Sequence, residues 1–446
     1  MKEIKEGKMT QNKKAKVCFD TYGCSTNLAD SLYMKKLLER EGYKIVDYNK
    51  ADVIIINSCT VKRNAETKFF RALRKAKKEK KLAIAAGCVV DAQHDLVDDK
   101  RLKGISIIGT RNLDNIVECV RESLKGRRVV FLSRQPKNPH IIPYNKLNDA
   151  VAIVPTAEGC VGSCTYCKTK QARGKLDSYP EDDILCQIKH FITEGVNEIW
   201  LTSQDLTSYG LEKKGNILSL LKRIDCLKGD FWVRLGMSNP QHLMPIIDEL
   251  LGLIKESKHF FRFLHIPLQS GSNNVLKAMN RKYSRENYLN LIKRIRNIIP
   301  NITLSTDIIV GFPNEEKIDF NQTLDVIKEI RPDTLNISRY WPRPGTKAAK
   351  MRQLKPEVAI DRARIARKAF KQIAQERNKS WIGWKGNAII DEEGKRESLK
   401  GRNIWYKQLI FPKTEVEMHQ LNIGNSLEVE IIEHNNFNLF CKVINK

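Results

Sequence analysis

The sequence lacks any long hydrophobic run and any secretory signal. Its apolar runs, such as residues 53–56, are far shorter than the ~20 residues that a membrane-spanning helix needs. Residues 1–16 contain no apolar core, which excludes a typical signal peptide. Internal repeats and low-complexity segments are also missing from the sequence. We therefore expect a cytoplasmic protein without a membrane span.

Acidic residues are scarce relative to basic ones. The 446 residues include 78 Lys and Arg against 52 Asp and Glu, which gives a formal net charge of +26. Such an excess favours a polyanionic partner, and nucleic acid is the first candidate. The alternative is an ordinary enzyme with a basic, solvated surface. The length of the chain predicts two or three domains.

Cysteine is rare, and the number of cysteines is odd. A count of 11 in a reducing compartment argues for thiolate ligands and free thiols rather than for a disulfide framework. Five cysteines lie inside predicted strands and helices or near their ends, and we interpret these five as packing residues. They are Cys18, Cys119, Cys186, Cys226 and Cys441.

Three of the other cysteines are crowded into one short segment, GCVGSCTYC. Cys160, Cys164 and Cys167, called the loop cysteines below, have the spacing C-x3-C-x2-C. A closed zinc site and a typical iron–sulfur cluster each need four protein ligands. A set of three therefore leaves one metal position open for chemistry. The alternative is a zinc loop whose fourth ligand lies far away in the chain.

A second set of three cysteines is spread over the N-terminal part of the chain. Cys24, Cys59 and Cys88, called the strand-end cysteines below, follow the first three predicted strands. Because the carboxyl ends of parallel strands meet at one edge of a sheet, we expect these side chains to lie close together. The alternative is that they are small buried hydrophobic residues.

Alternating strand and helix patterns predict an α/β protein with three domains. Residues 14–133 predict a doubly wound, mostly parallel sheet, and the proline-rich residues 134–149 predict a linker. Residues 146–378 contain six strand–helix units, which predict a partial (βα)6 barrel with its site at the strand C-terminal ends. Residues 380–446 alternate as strands without helices between them, and they predict a small β-barrel.

The chain resembles the radical S-adenosylmethionine (SAM) methylthiotransferases in many ordered motifs. GCVGSCTYC resembles their radical SAM motif, and TYGC, INSCT and AAGC resemble the cysteine motifs of their N-terminal domain. IPLQSGSNNVLKAMNRKYS and DIIVGFPNE resemble blocks of their radical SAM barrel. GRNIWYKQLIF resembles part of a TRAM domain, a small RNA-binding barrel. The resemblance covers nearly the whole chain in the same domain order.

Within that family the chain is most similar to the archaeal and eukaryotic tRNA branch. The segments CTYCKTKQARGKLDSYP and RPGTKAA carry this similarity, although Gln171 stands where that branch often has histidine. Enzymes of the branch add a methylthio group at C2 of N6-threonylcarbamoyladenosine beside the anticodon. The chain ends at Lys446 without the membrane anchor of animal members, so the resemblance implies a soluble, archaeal-type enzyme.

The resemblance also implies the cofactors and partners. The loop cysteines would hold one [4Fe–4S] cluster, whose open iron binds SAM, and the strand-end cysteines would hold a second [4Fe–4S] cluster that carries sulfur. The expected partners are tRNA, a reductant and a sulfur donor, and nothing indicates an oligomeric state. One alternative is the family branch that modifies an aspartate of a ribosomal protein. Another is an RNA-binding iron–sulfur protein without catalysis.

Polar residues near the ends of the barrel strands are candidates for contacts with SAM, and capping of the strand ends is the alternative for them. Together with the aromatic residue of the cysteine motif, these candidates are Tyr166, Gln204, Asp205, Arg234, Ser238 and Glu315.

Two segments combine features that suit RNA. Residues 62–81 carry ten Lys or Arg against two Glu, which predicts a phosphate-contacting face or, alternatively, a solvated helix. In the C-terminal domain we expect exposed aromatic residues beside basic ones, a combination that suits base stacking with phosphate contact. The residues concerned are Arg402, Trp405, Tyr406 and Lys407.

Overall fold

The computed structural model describes residues 14–60, 63–132 and 145–445. The chain divides into two compact units, residues 1–137 and residues 138–446. Most of the predicted linker, residues 134–149, lies outside the described residues. Most of residues 1–16, in which we expect no signal peptide, lies outside them as well. No helix in the described ranges is long and apolar enough to cross a bilayer.

The first unit is built on a parallel six-stranded sheet, which confirms the predicted α/β fold. The strand order is β2-β1-β3-β4-β5-β6. Every residue of the central strand β3 is buried, as expected for a strand covered on both faces. The edge strand β2 was not predicted, because two residues are too few to show a pattern. The strands are β1 (Lys16–Tyr22), β2 (Lys44–Ile45), β3 (Val53–Ser58), β4 (Leu82–Ala86), β5 (Ser106–Ile108) and β6 (Val130–Phe131). The helices are α1 (Ser25–Arg40), α2 (Arg63–Lys78), α3 (Cys88–Asp91) and α4 (Ile116–Leu124).

The second unit begins with six parallel strands, which confirms the predicted partial barrel. They form two three-stranded sheets, β11-β10-β7 and β12-β13-β14. Isolated parallel bridges connect the two sheets, from Val233 of β11 to Phe260 before β12 and from Met237 after β11 to His265 of β12. Strands β7 and β14 lie at the outer edges of the two sheets. The six strands are β7 (Val151–Pro155), β10 (Glu198–Thr202), β11 (Trp232–Arg234), β12 (Phe263–His265), β13 (Thr303–Val310) and β14 (Thr334–Arg339).

Helices and one small hairpin connect these six strands. The hairpin consists of β8 (Ala157–Glu158) and β9 (Asp177–Ser178), which are antiparallel. The longest helix, α13, has 24 residues and packs along β13 and β14. The helices are α5 (Thr169–Arg173), α6 (Glu181–Thr193), α7 (Ile217–Asp225), α8 (Pro240–Leu243), α9 (Ile247–Glu256), α10 (Asn273–Ala278), α11 (Arg285–Ile298), α12 (Lys317–Ile330) and α13 (Pro356–Lys379).

The C-terminal residues form a closed five-stranded barrel with the order β15-β16-β17-β19-β18. The expectation of strands without an intervening helix is wrong, because helix α14 (Lys413–His419) lies between β17 and β18. Val416 of this helix packs against the barrel core, and Glu415 accepts a hydrogen bond from the Val443 amide of β19 at 2.8 Å. The strands are β15 (Lys385–Glu393), β16 (Leu399–Asn403), β17 (Gln408–Phe411), β18 (Ser426–His434) and β19 (Leu439–Asn445).

The C-terminal barrel packs against one end of the central barrel. Three of its contacts involve the residues immediately before β10, β12 and β14, so it covers the end where the strands begin. The contacts are Asn197 Nδ2 to the Gly424 oxygen at 2.9 Å, Arg262 N to the Ile404 oxygen at 2.8 Å, and an ion pair between Lys407 and Asp333. The opposite end, where the strands finish, is the end at which the sequence predicts the site.

Candidate functional site

The loop cysteines lie just beyond β7, at the end of the central barrel where the strands finish. Gly159 begins the loop with a φ of +76°, and a Cβ atom there would lie 2.0 Å from the carbonyl oxygen of Lys175. Only glycine fits this turn. The Cys160 amide donates to the Gly174 oxygen at 3.3 Å, and a buried ion pair between Glu158 and Arg173 (2.7 Å) fixes the flanking segments.

Each loop cysteine sulfur accepts a hydrogen bond. The amide of Gly162 donates to the Cys160 sulfur at 3.2 Å, and the amide of Thr169 donates to the Cys167 sulfur at 3.3 Å. The Arg281 guanidinium donates to the Cys164 sulfur at 3.4 Å. Donors of this kind are typical around metal-bound thiolates, because they stabilise the charge on sulfur.

The end of helix α10 holds the cysteine loop in place. The Thr165 amide donates to the Met279 oxygen at 3.1 Å, and its hydroxyl donates to the Ala278 oxygen at 2.8 Å. The Asn280 amide group donates to both the carbonyl and hydroxyl oxygens of Ser163, at 3.0 and 2.8 Å. Asn280 has a φ of +59°, a conformation that asparagine tolerates better than most residues. Hydrogen bonds from residues at and after the end of α10 therefore set the shape of the cysteine loop.

Arg281 connects three of the loops at this end of the barrel. Besides Cys164, it donates to Asn239 Oδ1 at 2.8 Å and to the Tyr283 hydroxyl at 3.0 Å. Tyr283 in turn donates to the Leu268 oxygen at 2.8 Å. The sequence analysis missed Arg281, since nothing in NRKYS shows which side chain it reaches.

A cavity of about 270 Å³ opens beside the cysteine loop. Its walls come from the loop itself, from the segment after β11 and from the segment after α10. The lining residues are Val161, Gly162, Ser163, Cys164, Leu211, Asn239, Gln241, His242, Asn280, Arg281 and Lys282. Most of these side chains are polar or basic, which suits a charged, hydrogen-bonding ligand.

Asp205, one of the predicted SAM contacts, is buried and fully engaged. Its carboxylate accepts from the Asn239 amide at 3.0 Å, from Thr207 at 2.9 Å and from His242 at 2.7 Å. Its charge also acts on the neighbouring Cys160, whose pKa it helps to raise. Asp205 therefore positions the loop after β11 and the cavity-lining His242, which the sequence analysis did not single out.

The other predicted SAM contacts lie in different surroundings. Ser238 is buried after β11, and its amide donates to the His265 oxygen at 2.8 Å. Arg234 lies inside the barrel, where Trp200 and other aromatic rings surround its guanidinium. Gln204 follows β10 beside Asp205.

Tyr166 and Glu315 pack around the loops rather than in the cavity. Tyr166 contacts Phe312 edge to face, with ring centroids 6.2 Å apart. Glu315 accepts from the Gly311 amide at 2.6 Å and forms an ion pair with Arg362 of α13. These contacts give Glu315 a structural role.

The residues present fit an iron–sulfur cluster. Burial raises the pKa of the Cys160 thiol to about 11 and also raises that of Cys167, so a bound cation is needed to keep these groups as thiolates. Within the described ranges, no group of three His, Cys, Asp or Glu side chains converges on one metal ion. A [4Fe–4S] cluster does not require such convergence, because each thiolate binds a different iron.

In the first unit, two of the strand-end cysteines lie beside a buried pair of amide side chains, Asn27 and Asn57. Asn27 Oδ1 lies 3.5 Å from the Cys24 sulfur, and Asn27 Nδ2 lies 3.7 Å from the Cys88 sulfur. Asn57, also fully buried, donates to the Asn27 carbonyl at 2.8 Å. Cys59 follows β3, and its amide donates to the oxygen of the last residue of β1 at 2.8 Å. The first sheet thus brings Cys24 and Cys88 close to the side chain of Asn27, at the edge where the strands end.

Two glycines allow this close approach. A Cβ at Gly23 would lie 2.3 Å from Asn27 Oδ1, and a Cβ at Gly87, where φ is +92°, would lie 2.1 Å from Asn57 Oδ1. Any larger residue would displace the amide pair.

The interpretation of five cysteines as packing residues is correct for three of them. Cys18, Cys119 and Cys441 are buried, whereas Cys186 and Cys226 are exposed. Cys186 lies on the outer face of α6 and Cys226 at the end of α7, where the apolar pattern of the helix is broken.

The four side chains of the C-terminal barrel that we expect to bind RNA are less exposed than predicted: Lys407 is buried, and Arg402, Trp405 and Tyr406 are partly buried. Tyr406 packs against Phe261 and Phe263 of the central barrel, with ring centroids 4.8 and 4.6 Å apart. Lys407 is 5% exposed and pairs with Asp333. The remaining two residues are also engaged: Arg402 pairs with Asp391, and Trp405 packs on Trp381. Tyr406 and Lys407 thus attach the C-terminal barrel to the central one, whereas the contacts of Arg402 and Trp405 lie within the C-terminal barrel and its core.

Sequence comparisons identify the two main parts of the chain. Residues 154–327 match the radical SAM superfamily, and residues 16–109 match a family described as uncharacterized protein family UPF0004. Two solved structures share the fold: a radical SAM methyltransferase from Kitasatospora setae (TM-score 0.55, 11% identity, 75% of each chain) and a cobalamin-dependent SAM radical enzyme (TM-score 0.52, 10% identity, 81% of this chain and 56% of the other).

Curated relatives are similar over nearly the whole chain. A probable threonylcarbamoyladenosine tRNA methylthiotransferase of Pyrococcus abyssi is 36% identical over 94% of this chain and 97% of its own length. The threonylcarbamoyladenosine tRNA methylthiotransferase of Homo sapiens is 36% identical over 94% of this chain and 72% of its own. Similarity of this extent spans the cysteine loop, the strand-end cysteines and the C-terminal barrel. The chain belongs to the threonylcarbamoyladenosine tRNA methylthiotransferases of the radical SAM superfamily.

Proposed function

We propose that this protein is a tRNA methylthiotransferase that acts at C2 of N6-threonylcarbamoyladenosine beside the anticodon. The observation that carries the proposal is the loop of Cys160, Cys164 and Cys167. Hydrogen bonds order this loop at the end of a radical SAM barrel where the strands finish. A three-thiol set leaves one iron of a [4Fe–4S] cluster open. Relatives that are 36% identical over 94% of this chain are named as threonylcarbamoyladenosine tRNA methylthiotransferases.

The loop cysteines would hold the cluster, and SAM would bind beside it. When bound, this pair supplies a 5′-deoxyadenosyl radical, which is needed because the adenine C2–H bond does not respond to acid–base chemistry. The protein's own residues orient and shield the site. Arg281 and Asn280 fix the loop, and the hydrogen bonds of Asp205 fix one wall of the adjoining cavity.

We also propose that the strand-end cysteines hold a second [4Fe–4S] cluster with an open iron for the sulfur that is transferred. In support, the side chain of Asn27 lies within 3.7 Å of two of the three sulfurs, and Gly23 and Gly87 let the amides of Asn27 and Asn57 pack against the backbone there. A purely structural cluster would normally have a fourth protein ligand.

The proposed partners follow from the chemistry. Reductive cleavage needs an electron donor, and repeated turnover needs a sulfur donor. The exposed basic residues of α2, including Arg71, Arg74 and Lys78, provide one surface for tRNA phosphates. The cytoplasm is the proposed compartment, since all 11 cysteines are free thiols. Modification of a ribosomal-protein aspartate is not favoured by the names of the relatives.

The decisive test is mass spectrometry of tRNA nucleosides from cells with and without this gene. We expect the methylthio derivative of threonylcarbamoyladenosine to disappear in the deletion strain and to return with the wild-type gene. A gene in which the loop cysteines are replaced by alanine should not restore it. Unchanged nucleosides in the deletion strain would contradict the proposed function.

A further inference from the structure

A strongly basic segment begins at the loop after β14 and continues onto helix α13. Residues 339–371 contain eleven Lys or Arg against two acidic residues. Nine of the basic side chains are exposed; one is Arg339 at the end of β14, and we call the eight that follow β14 the basic strip. They are Lys347, Lys350, Arg352, Lys355, Arg364, Arg367, Lys368 and Lys371.

Most of this charge is not neutralised within the protein. Arg364 pairs with Asp361 at 3.1 Å, but the other seven residues of the basic strip form no ion pair in the part of the chain that the structure describes. An ordinary solvated helix usually alternates charges of both signs. Seven unpaired cations along one segment indicate a surface that meets a polyanion.

The basic strip starts at the cysteine loop. The amide of Ala348 donates to the Thr165 oxygen at 2.9 Å, and Gln171 Nε2 donates to the Gly345 oxygen at 3.0 Å. Trp341, whose side chain is 42% exposed, lies in this same loop. The loop therefore brings positive charge and an exposed aromatic ring to the mouth of the barrel.

Helix α13 then connects the two ends of the central barrel. Near its start, Arg362 donates to the Glu315 oxygen at 2.9 Å, in the loop at the mouth. Near its end, Arg377 pairs with Asp333 at 2.8 Å, where the C-terminal barrel is attached. The helix has 24 residues and is thus about 36 Å long.

The basic residues of α13 share one face of the helix. Arg364, Lys368 and Lys371 have the spacing i, i+4, i+7, and the opposite face buries Ala366 and Phe370. The charged face therefore points outward along a path from the mouth towards the C-terminal barrel.

We propose that the basic strip binds the sugar–phosphate backbone of the RNA substrate, with Trp341 stacking on an unpaired base at the mouth. This proposal rests on the proposed function and adds the surface that aligns the RNA. The residues of the basic strip are more exposed than the four residues of the C-terminal barrel that the sequence analysis assigned to RNA. The basic strip supplies contacts to phosphates, and the indole ring of Trp341 supplies a surface on which any base can stack.

The test measures binding of an unmodified anticodon stem–loop RNA to the full chain at several salt concentrations. Arg367→Glu/Lys368→Glu/Lys371→Glu should weaken binding at least tenfold and reduce the slope of log affinity against log salt by about 0.7–0.9 per lost contact. Lys189→Glu, an exposed lysine on α6 in the other half of the barrel, is the matched control and should change both quantities little. Trp341→Ala should weaken binding about tenfold with an unchanged slope, as expected for a lost stack.

Thermal unfolding of each variant verifies that it is folded. If a charge-reversal variant is unfolded, the same positions are changed to glutamine instead. Affinity and slope that match the Lys189→Glu control would overturn the proposal. The proposed function is judged separately: if wild-type protein modifies tRNA while the strip variants bind normally, only the strip is wrong. If wild-type protein produces no methylthio product, the proposed function fails whatever the strip does.

Discussion

Replacing Lys407 by methionine distinguishes a structural lysine from an RNA contact. The ammonium group of Lys407 is buried against Asp333 and lies 5.2 Å from the centroid of the Trp381 ring. Methionine keeps the apolar stem but removes the charge. Breaking a buried ion pair costs about 3–5 kcal/mol, because the remaining charge stays buried.

The cost should lie near the lower end of this range. Asp333 keeps two other partners, Arg377 at 2.8 Å and the Leu304 amide at 2.9 Å. Burial raises the pKa of the Asp333 carboxyl, but Lys407, Arg377 and the Leu304 amide together lower it below its usual value. Arg377 and the Leu304 amide still face the carboxylate in the variant. We therefore expect a loss of about 3 kcal/mol, which corresponds to a thermal midpoint lower by about 5 °C for a unit of this size.

The assay compares thermal unfolding and RNA binding for Lys407→Met and a control, Lys442→Met. Lys442 pairs with Glu430 at 3.1 Å but is half exposed, so its removal should cost less than about 1 kcal/mol. The salt dependence of tRNA binding should be the same in both variants and in the wild type. A Lys407→Met protein with an unchanged midpoint and a salt slope reduced by one contact would refute the structural role.

Three further predictions follow from the site and the core. Cys59→Ala should retain SAM cleavage but transfer no methylthio group. Its iron content should fall from about eight to about four atoms per chain. Loss of SAM cleavage in a variant that keeps the loop cluster would show that the two cysteine sets do not have separate roles. Arg281→Met should lower the amount of iron that the loop cysteines retain, because Cys164 and Asn239 both lose a hydrogen-bond donor. Arg281→Lys should recover part of that iron. Equal iron in both variants and the wild type would contradict this prediction. Burial raises the pKa of Glu198 to about 8, so the stability of the folded state should fall as the pH rises from about 4.5 to about 8 and then level off. Glu198→Gln should flatten this dependence of the thermal midpoint, and parallel pH profiles would argue against a raised pKa.

The strands and the cysteine motifs could be predicted because their signals are local. Buried runs such as that of β3 depend only on neighbouring residues, and the spacing of the loop cysteines is visible in nine letters. The positions of Cys24, Cys59 and Cys88 were predictable because sheet topology places strand ends together.

Other features depend on which surfaces meet, and the sequence does not show that. Tyr406 and Lys407 have the composition of an RNA-binding segment, yet a second barrel buries them. Arg281 lies 117 residues from the cysteine whose sulfur it contacts. Helix α14 has seven residues and one apolar anchor, too few for a periodic pattern.

The attachment of the C-terminal barrel limits how this protein can be divided or recombined. Truncation before this barrel would expose Phe261 and Phe263 and leave Asp333 without its lysine, so the remaining fragment would lose part of the catalytic barrel's own packing. A chimera that takes the C-terminal barrel from a relative would likewise need the matching residues at the starts of β12 and β14. We therefore expect an engineered exchange between relatives to give a folded protein when the two barrels are exchanged together.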